Sequence, residues 1–356
     1  MRWGSWLAVV LIVLGGVSMS ACTNIGYLAQ AANGHLKLMR AREPIDTLLA
    51  DPSLDSGLRE RLETLGKARE FAVAELGLPD TDSYKSYVAT GRRAVTWNVV
   101  AAEEFSLRPY TWCFPIAGCV NYRGYFAEEK ARAYADMFRE KGFDVTVGGA
   151  SAYSTLGWFD DTVLDTMLRG PSTRYVGTLF HEMAHQLLYV PNDSDFNEAY
   201  ATFIEQEGVR RWLQSRDDQA LIASFAASLD RADDFIALLA DTRRGLTELY
   251  ESDILLDAKR AAKEAAFTAM RERYELLKVE WGGYAGYDGW FGRELNNARL
   301  VSVSTYRRYI PAFATLFDDV GKDMLAFHTA AEQIGGLKPE QRKEKMEALL
   351  ARASAT

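Results

Sequence analysis

The spacing of hydrophobic residues divides the first half of the chain into two helices and a β-rich stretch. Apolar residues recur every three or four positions at 27–42 and again at 58–76, which predicts two amphipathic helices. A proline separates the two helices, and a Gly-Leu-Pro sequence ends the second one. Between 83 and 147, alternating, β-branched and aromatic residues predict several strands, with one charged helix at 127–141. This half is therefore predicted to mix helices with a small sheet.

From residue 171 onward the pattern is almost entirely helical. Helical periodicity with few glycines or prolines covers four segments, 172–190, 195–215, 218–250 and 255–280. A glycine-rich break at 281–292 separates them from a last helical group. The charged run at 258–279 is interpreted as the solvated face of a long helical hairpin. The predicted fold is α+β and predominantly helical, with a mixed β-sheet lobe within 22–190 and a larger helical lobe at 191–356.

The charge balance and the cysteine count exclude two classes of protein. The 356 residues include 41 Lys and Arg against 49 Asp and Glu, which gives a net charge of −8. A nucleic-acid-binding protein needs a basic surface to displace counterions from phosphates, so no nucleic-acid partner is expected. Three cysteines are too few for a disulfide-stapled miniprotein, and a chain of this length can bury a large core without one.

The beginning of the chain resembles the export signal of a bacterial lipoprotein. Arg2 precedes an uncharged apolar run at 6–17, which is shorter than the roughly 20 residues that cross a bilayer. Small residues then lead to Cys22, as in a lipobox, where the cysteine is lipidated and becomes the first residue of the mature protein, without residues 1–21. Thr23 rather than Asp follows the cysteine, so the resemblance implies a place on the periplasmic face of the outer membrane, in the cell envelope of a Gram-negative cell. An ordinary secretory signal with an incidental cysteine, or an uncleaved anchor, is the alternative.

The two other cysteines, Cys113 and Cys119, lie close together in the sequence CFPIAGC. An even pair in an exported protein predicts a disulfide. A pair of buried thiols is the alternative. The spacing is not that of a zinc knuckle.

The sequence HEMAH at 181–185 is an HExxH motif inside a predicted helix. His181 and His185 are four residues apart and therefore lie on one helical face, where both imidazoles can reach one metal ion. Glu182 is turned by about 100° from His181, which places its carboxylate beside the metal rather than on it. The alternative is a pair of helix histidines with other partners.

A catalytic zinc site usually has three protein ligands and one open position, so a third ligand is needed. The continuation HExxHxxGxxH is absent, and the two other histidines are far away in sequence. A turn at 191–194 precedes a second helix that Ser194 or Asp195 can cap, and Glu198 lies early in that helix. A second helix that folds back across the first brings Glu198 to the metal as the predicted third ligand.

An HExxH motif with a downstream glutamate resembles the gluzincins, the clan of thermolysin-like and zinc-aminopeptidase-like enzymes. Residues 197–201, NEAYA, look like the NExxA segment of zinc aminopeptidases, although only twelve residues separate His185 from Glu198. The wider set of segments also resembles a family of bacterial lipoproteins described as zinc aminopeptidases: CFPIAGCVNYRGYF, AYSTLGWFDD, HEMAHQLLY, FNEAYATFIEQEG and NNARL. The resemblance implies one Zn²⁺ per chain, a peptide substrate and release of N-terminal residues.

The chemistry expected of such a site is peptide hydrolysis by a water whose pKa falls towards ~7 on zinc. Glu182 is the predicted general base, which takes a proton from that water and delivers it to the leaving amine. Glu205 lies seven residues after Glu198 on the same helical face and is predicted to orient a ligand imidazole. A surface glutamate is the alternative for Glu205.

Other residues are predicted to contact the substrate. Gly149, Ala150 and Tyr153 precede the HExxH helix where zinc peptidases place an edge strand that pairs with the substrate backbone. An ordinary turn explains the glycines equally well. Tyr306, after the NNARL segment, is the predicted stabiliser of the oxyanion, with Tyr153 as the second choice.

Two other functions stay open at this point. A zinc endopeptidase or cell-wall amidase would use the same zinc site. A strict aminopeptidase needs an acidic anchor for the substrate's α-amine, and Glu103 or Glu104 could supply it. A non-catalytic envelope lipoprotein with a structural zinc is the other alternative, although structural zinc needs no general base such as Glu182.

Overall fold

The computed structural model describes residues 26–27, 30–114, 118–152, 160–304 and 307–353. The predicted signal segment and Cys22 lie outside these ranges, as do the predicted substrate-contacting residues Tyr153 and Tyr306. Within the described ranges, the helices are all too short or too polar to traverse a lipid bilayer.

Helices form most of the fold, and the four long ones begin and end within three residues of their predicted bounds. In chain order the helices are α1 (30–41), α2 (Ile45–Ala50), α3 (Ser56–Leu76), α4 (Glu128–Arg139), α5 (Ser172–Leu187), α6 (Ser194–Ser215), α7 (Gln219–Glu251), α8 (Leu256–Glu280), α9 (Asp288–Phe291), α10 (Asn297–Ser304), α11 (Ile310–Asp319), α12 (Met324–Gly335) and α13 (Pro339–Ala353). The prediction of a predominantly helical α+β fold is confirmed.

The strands form three small sheets. They are β1 (Glu43–Pro44), β2 (Ser86–Val88), β3 (Thr96–Glu103), β4 (Trp112–Phe114), β5 (Gly118–Val120), β6 (Arg123–Tyr125), β7 (Phe143–Ala150) and β8 (Val163–Leu164). In the first sheet, β2 pairs antiparallel with β1 and parallel with β8. The second sheet is antiparallel, in the order β6-β3-β7. Strands β4 and β5 form a hairpin joined by the Cys113–Cys119 disulfide, which confirms that prediction.

We call the second sheet the central sheet. Side chains point alternately to its two faces along each strand, and helices cover both faces. Val99 and Val145 belong to an aromatic-rich core beside α4. Val100, on the opposite face of β3, packs against Ala298 and Val301 of α10. Strand β7 forms one edge of this sheet within the described part of the chain.

The largest hydrophobic core joins α3, α5, α6 and the last three helices. Its largest fully buried side chains include aromatic residues from helices on both sides of residue 190, namely Phe180, Phe196, Tyr200, Phe313 and Phe327. A division at 190/191 therefore passes through shared packing, and the domain boundary stays a prediction.

Helix α6 begins one or two residues earlier than its predicted capping residues require. Asp193 is the N-cap, and its carboxylate accepts a hydrogen bond from the Phe196 amide at 3.1 Å. The predictions of Ser194 or Asp195 as the cap were wrong, because the helix has already started at Ser194. The second carboxylate oxygen of Asp193 accepts a hydrogen bond from Nε of Arg342 in α13, at 2.6 Å.

Helices α7 and α8 form the predicted hairpin, but the charged run of α8 is only partly solvated. Lys263 is buried, and its Nζ lies 2.6 Å from Oδ2 of Asp144 in β7. Arg260 is half exposed and pairs with Glu104, which follows β3, at 2.6 Å. The interpretation of the run as a solvated face therefore fails at Lys263 and at Lys259, which are buried, while most of its other charged residues are exposed.

Candidate metal centre

Helix α5 presents the HExxH residues while its other side is fixed in the main core. Val176, Leu179, Phe180 and Met183 are almost completely buried, as the helical periodicity of the segment requires. His181 and His185 lie one turn apart on α5, and their ring centroids are 4.8 Å apart. Their Nε2 atoms are 3.2 Å apart, so both rings point the same nitrogen at one position.

A buried asparagine holds the short connection between α5 and α6. Oδ1 of Asn197 accepts a hydrogen bond from the Val190 amide at 2.7 Å, and Nδ2 donates to the Val190 carbonyl at 2.8 Å. Asn192 in the same turn has φ of 63°, in the left-handed region that asparagine tolerates better than most residues. This turn folds α6 back across α5 and places Glu198 beside the two histidines.

Two glycines let α5 and α6 approach closely. A Cβ on Gly177 would lie 3.1 Å from Cγ of Glu205, and a Cβ on Gly208 would lie 2.8 Å from Cδ2 of Phe180. Neither position can take a larger side chain unless its neighbour moves. The close crossing therefore depends on glycine at these two positions.

The two histidines and Glu198 form a group that could hold one metal ion. Oε2 of Glu198 lies 3.3 Å from Nε2 of His181, and Oε1 lies 3.6 Å from Nε2 of His185. One ligand atom from each residue falls within a span of 4.8 Å. Tetrahedral zinc with bonds of about 2.0–2.1 Å separates its ligand atoms by roughly 3.3–3.4 Å, so both the donor set and the spacing fit zinc.

The electrostatics of this group favour a charged carboxylate and, without metal, a charged imidazole. Burial acts to lower the pKa of His181, but hydrogen bonds to Glu198 and Glu205 outweigh burial and raise that pKa to about 10. Burial acts to raise the pKa of Glu198, but hydrogen bonds to His181 and His185 lower it far below its ordinary value. In the metal-free protein, a proton on His181 thus takes the place of a cation.

Glu205 lies where the sequence predicts a residue that orients a ligand imidazole. Nδ1 of His181 donates a hydrogen bond to Oε2 of Glu205 at 3.2 Å, which leaves Nε2 directed at the site. Nδ1 of His185, by contrast, is buried and has no hydrogen-bond partner in the described part of the chain. The two imidazoles are therefore held differently, one by a carboxylate and the other by packing.

Glu182 carries a carboxyl whose pKa is raised above its ordinary value. Burial is the main cause, and the negative charges of Glu198 and Asp161 add to it, while His181 and His185 partly oppose it. A general base works best with a pKa close to the working pH, so the shift has the direction that the predicted role requires.

The predicted substrate residues that the structure describes belong to the central sheet. Gly149 and Ala150 end the edge strand β7, and they pair with Trp97 and Thr96 of β3. Glu104, one of the two possible anchors for an α-amine, has its carboxylate bound by Arg260 at 2.6 Å. That ion pair leaves Glu104 without the free charge that such an anchor needs.

Sequence reasoning missed three residues that shape or border the metal centre. Gly177 and Asn197 bring the helices together, and a glycine in a helix interior, four residues before His181, is the signal that could have found the first. Tyr189 is the third, with a ring centroid 6.3 Å from that of His185 and 44% of its surface exposed. Its signal is the four-residue spacing from His185.

Comparison with known proteins identifies a family. No curated protein and no solved structure matches the chain. The sequence model of one family, described as "Putative aminopeptidase", matches residues 26–346. This range includes the HExxH helix, Glu198 and the NNARL segment. The chain therefore belongs to this aminopeptidase family.

Proposed function

We propose that the protein is a zinc-dependent aminopeptidase that removes residues from the N-terminus of peptides. The observation that carries the proposal is the convergence of His181, His185 and Glu198 on one position, with their ligand atoms within 4.8 Å. Two imidazoles and one carboxylate are the donor set of catalytic zinc in peptidases, and they leave a fourth position open for water or substrate. Membership of an aminopeptidase family supports the choice of peptide bond.

The surrounding side chains have distinct tasks in this proposal. Bound zinc would supply a Lewis acid that acidifies water and polarises the scissile carbonyl. Glu182 removes a proton from the attacking water and returns it to the leaving amine. Glu205 holds the Nδ1 proton of His181, which fixes the orientation of that ring. Tyr306 is proposed to donate a hydrogen bond to the oxyanion. Tyr189, which lies beside His185, is the alternative candidate for this role.

The decisive experiment replaces Glu182 with glutamine in the zinc-loaded protein. We expect the turnover number for aminoacyl reporter substrates to fall by roughly 10²–10⁴-fold, because general-base catalysis is lost while all three ligands remain. Zinc content by elemental analysis should stay at one ion per chain. Glu264→Gln, at an exposed position of α8, is the matched control and should retain full turnover.

The same panel separates the proposal from its rivals. Hydrolysis of free peptides but not of their N-acetylated forms supports an aminopeptidase. Equal hydrolysis of both forms would indicate an endopeptidase or amidase instead. A fully zinc-loaded protein that cleaves nothing in the panel would favour a structural zinc.

We also propose that lipid on Cys22 anchors the protein to the cell envelope, on the periplasmic face of the outer membrane. Small residues leading to that cysteine support the proposal, as does the short apolar run before them. Cys22→Ser should prevent incorporation of labelled fatty acid into the protein. Unchanged labelling of the serine variant would contradict the proposal.

A further inference from the structure

A second pocket lies between the central sheet and α10, and it is unlike the metal centre. Its volume is about 250 Å³. One wall is the face of the sheet that carries Asn98, Val100, Thr146 and Gly148, which are register partners on β3 and β7. Arg299 of α10 contributes to the other wall, so we call this space the Arg299 pocket.

Arg299 is a buried cation whose charge is unpaired within the described part of the chain. Only 6% of the residue is exposed, and its Nε and Nη2 both donate to the Trp290 carbonyl, at 3.2 and 3.0 Å. The guanidinium carbon also lies 4.8 Å from the Trp290 ring centroid. A guanidinium has five N–H donors, so most of its hydrogen-bonding capacity remains for a ligand.

The charges around the pocket favour an anion. Among the described residues that line it, Arg299 alone is charged, and the lining contains no carboxylate. Arg293 is close enough to depress the pKa of Arg299 in addition to the effect of burial, although that pKa remains near 10 and Arg299 stays charged at neutral pH. A buried, unpaired cation is unfavourable, and a carboxylate is the ligand whose geometry matches guanidinium.

The pocket also reaches the end of β7, where Gly149, a predicted substrate-contacting residue, is part of its lining. Gly148 lies on the pocket face of β7, and a Cβ there would meet no atom within 4 Å. The glycine thus leaves space that a larger side chain would occupy. A peptide held at Gly149 would therefore have a group within reach of this space.

We infer that the Arg299 pocket binds a carboxylate of the peptide substrate, an inference that rests on the proposed peptidase function. The carboxylate belongs either to an Asp or Glu side chain or to the C-terminus of a short peptide. Either source forms the same charge-assisted hydrogen bonds with Arg299.

The first test uses the wild-type zinc-loaded enzyme and two matched pairs of peptides. One pair differs only in a free or amidated C-terminus, and the other in Asp and Glu against Asn and Gln. We expect the free acid in at least one pair to lower KM by roughly 10–100-fold, the range for a hydrogen bond to a charged group. The pair that responds identifies the source of the carboxylate. Equal KM values within both pairs would overturn the inference while leaving the peptidase function intact.

The second test changes the pocket by two independent substitutions. Arg299→Gln removes the charge, and Gly148→Leu fills the space without altering the guanidinium, which guards against a folding defect caused by loss of the Trp290 contact. Each should bring the ratio of KM values within the responding pair close to one. Arg244→Gln, an exposed position on α7, removes one positive charge elsewhere and should keep the wild-type ratio. A wild-type ratio in both pocket variants would overturn the inference.

A binding measurement separates this inference from catalysis. Calorimetric titration of the metal-free protein with N-acetylated peptides, as free acids or amides, needs no hydrolysis. We expect the wild-type protein to bind the acid more tightly by the same factor, and Gly148→Leu to abolish the difference. Equal affinities for acid and amide would contradict the inference even if the enzyme proved to be an active peptidase.

Discussion

The crossing of α5 and α6 and the junction of α10 with the central sheet are built from similar residues but serve different ends. Each has a buried asparagine at or near the start of a helix. Asn197 bonds both backbone groups of Val190 in the turn before α6. Nδ2 of Asn297, at the start of α10, donates to the carbonyls of Glu103 and Glu104 at 3.1 and 2.9 Å.

The two regions differ in the role of the residue next to the asparagine. Next to Asn197, Glu198 has its carboxylate within 3.6 Å of both histidine Nε2 atoms. Next to Asn297, Asn296 donates to the Val145 carbonyl and joins the sheet contact. The NNARL segment is part of the resemblance to aminopeptidases, and its two asparagines thus attach α10 to the central sheet. A polar segment near the start of a helix thus attaches the helix in one region and supplies a candidate metal ligand in the other.

The largest effect should follow loss of the carboxylate at the metal centre. Replacing Glu198 with alanine removes one of three ligands, so we expect zinc affinity to fall by more than the roughly 10–100-fold typical of residues that support a ligand. Competition with a chelator measures the change. An unchanged zinc affinity would show that Glu198 is not a ligand. The two regions would then not differ in the way described.

A matched pair of substitutions tests the comparison directly. Asn197→Ala leaves the buried Val190 amide without its hydrogen bond, and Asn297→Ala removes a donor to two backbone carbonyls and the acceptor of the Tyr250 hydroxyl. We expect each variant to lower the free energy of unfolding by about 1–3 kcal/mol. Only Asn197→Ala should also weaken zinc binding, because only that turn positions a ligand. Denaturant unfolding and chelator competition give the two values. Equal loss of zinc affinity in both variants would refute the contrast.

Glu205→Gln should give a smaller effect that sharpens the assignment of roles within the α5–α6 crossing. The amide cannot stabilise the Nδ1 proton of His181 as a carboxylate does, so we expect zinc affinity to fall by roughly 10–100-fold. Folding stability should change little, which distinguishes this residue from Asn197. Zinc affinity equal to that of the wild type would make Glu205 an ordinary surface glutamate.

Proton release on zinc uptake provides the least invasive test. The pKa of His181 is about 10 in the metal-free protein, so at pH 7.5 its imidazole is protonated, whereas a zinc ligand must be neutral. Zinc binding should therefore release about one proton per chain, and affinity should fall as the pH is lowered. Calorimetry in buffers of different ionisation enthalpy counts the protons. Release of none would contradict the charged state assigned to His181.

Features set by short-range spacing could be predicted from the sequence. Helices α5 to α8 follow from period and breakers, and the meeting of His181 with His185 follows from four-residue spacing on one helix. Glu198 required only one further step, a turn that reverses the chain. The disulfide between Cys113 and Cys119, predicted from an even pair of cysteines in an exported protein, is confirmed as well.

Features that depend on distant contacts could not be predicted. Lys263 looks like one more charge on a solvated helix until Asp144, 119 positions earlier, lies against it. The cap of α6 was placed one or two residues too late, because Asn192, Asp193 and Ser194 are all common in such turns. Arg299 reads as an ordinary helix residue, and only the packing of α10 on the sheet buries its charge.

The ion pair between Asp193 and Arg342 links the start of α6 to a residue 149 positions later in the chain. All three candidate metal ligands are therefore synthesised long before the side chain that contacts the N-cap of α6. A growing chain would carry the HExxH signature and Glu198 yet hold the turn between them loosely. We expect firm metal capture to come late in biogenesis, and a nascent fragment that stops short of Arg342 to exchange zinc faster than the finished protein.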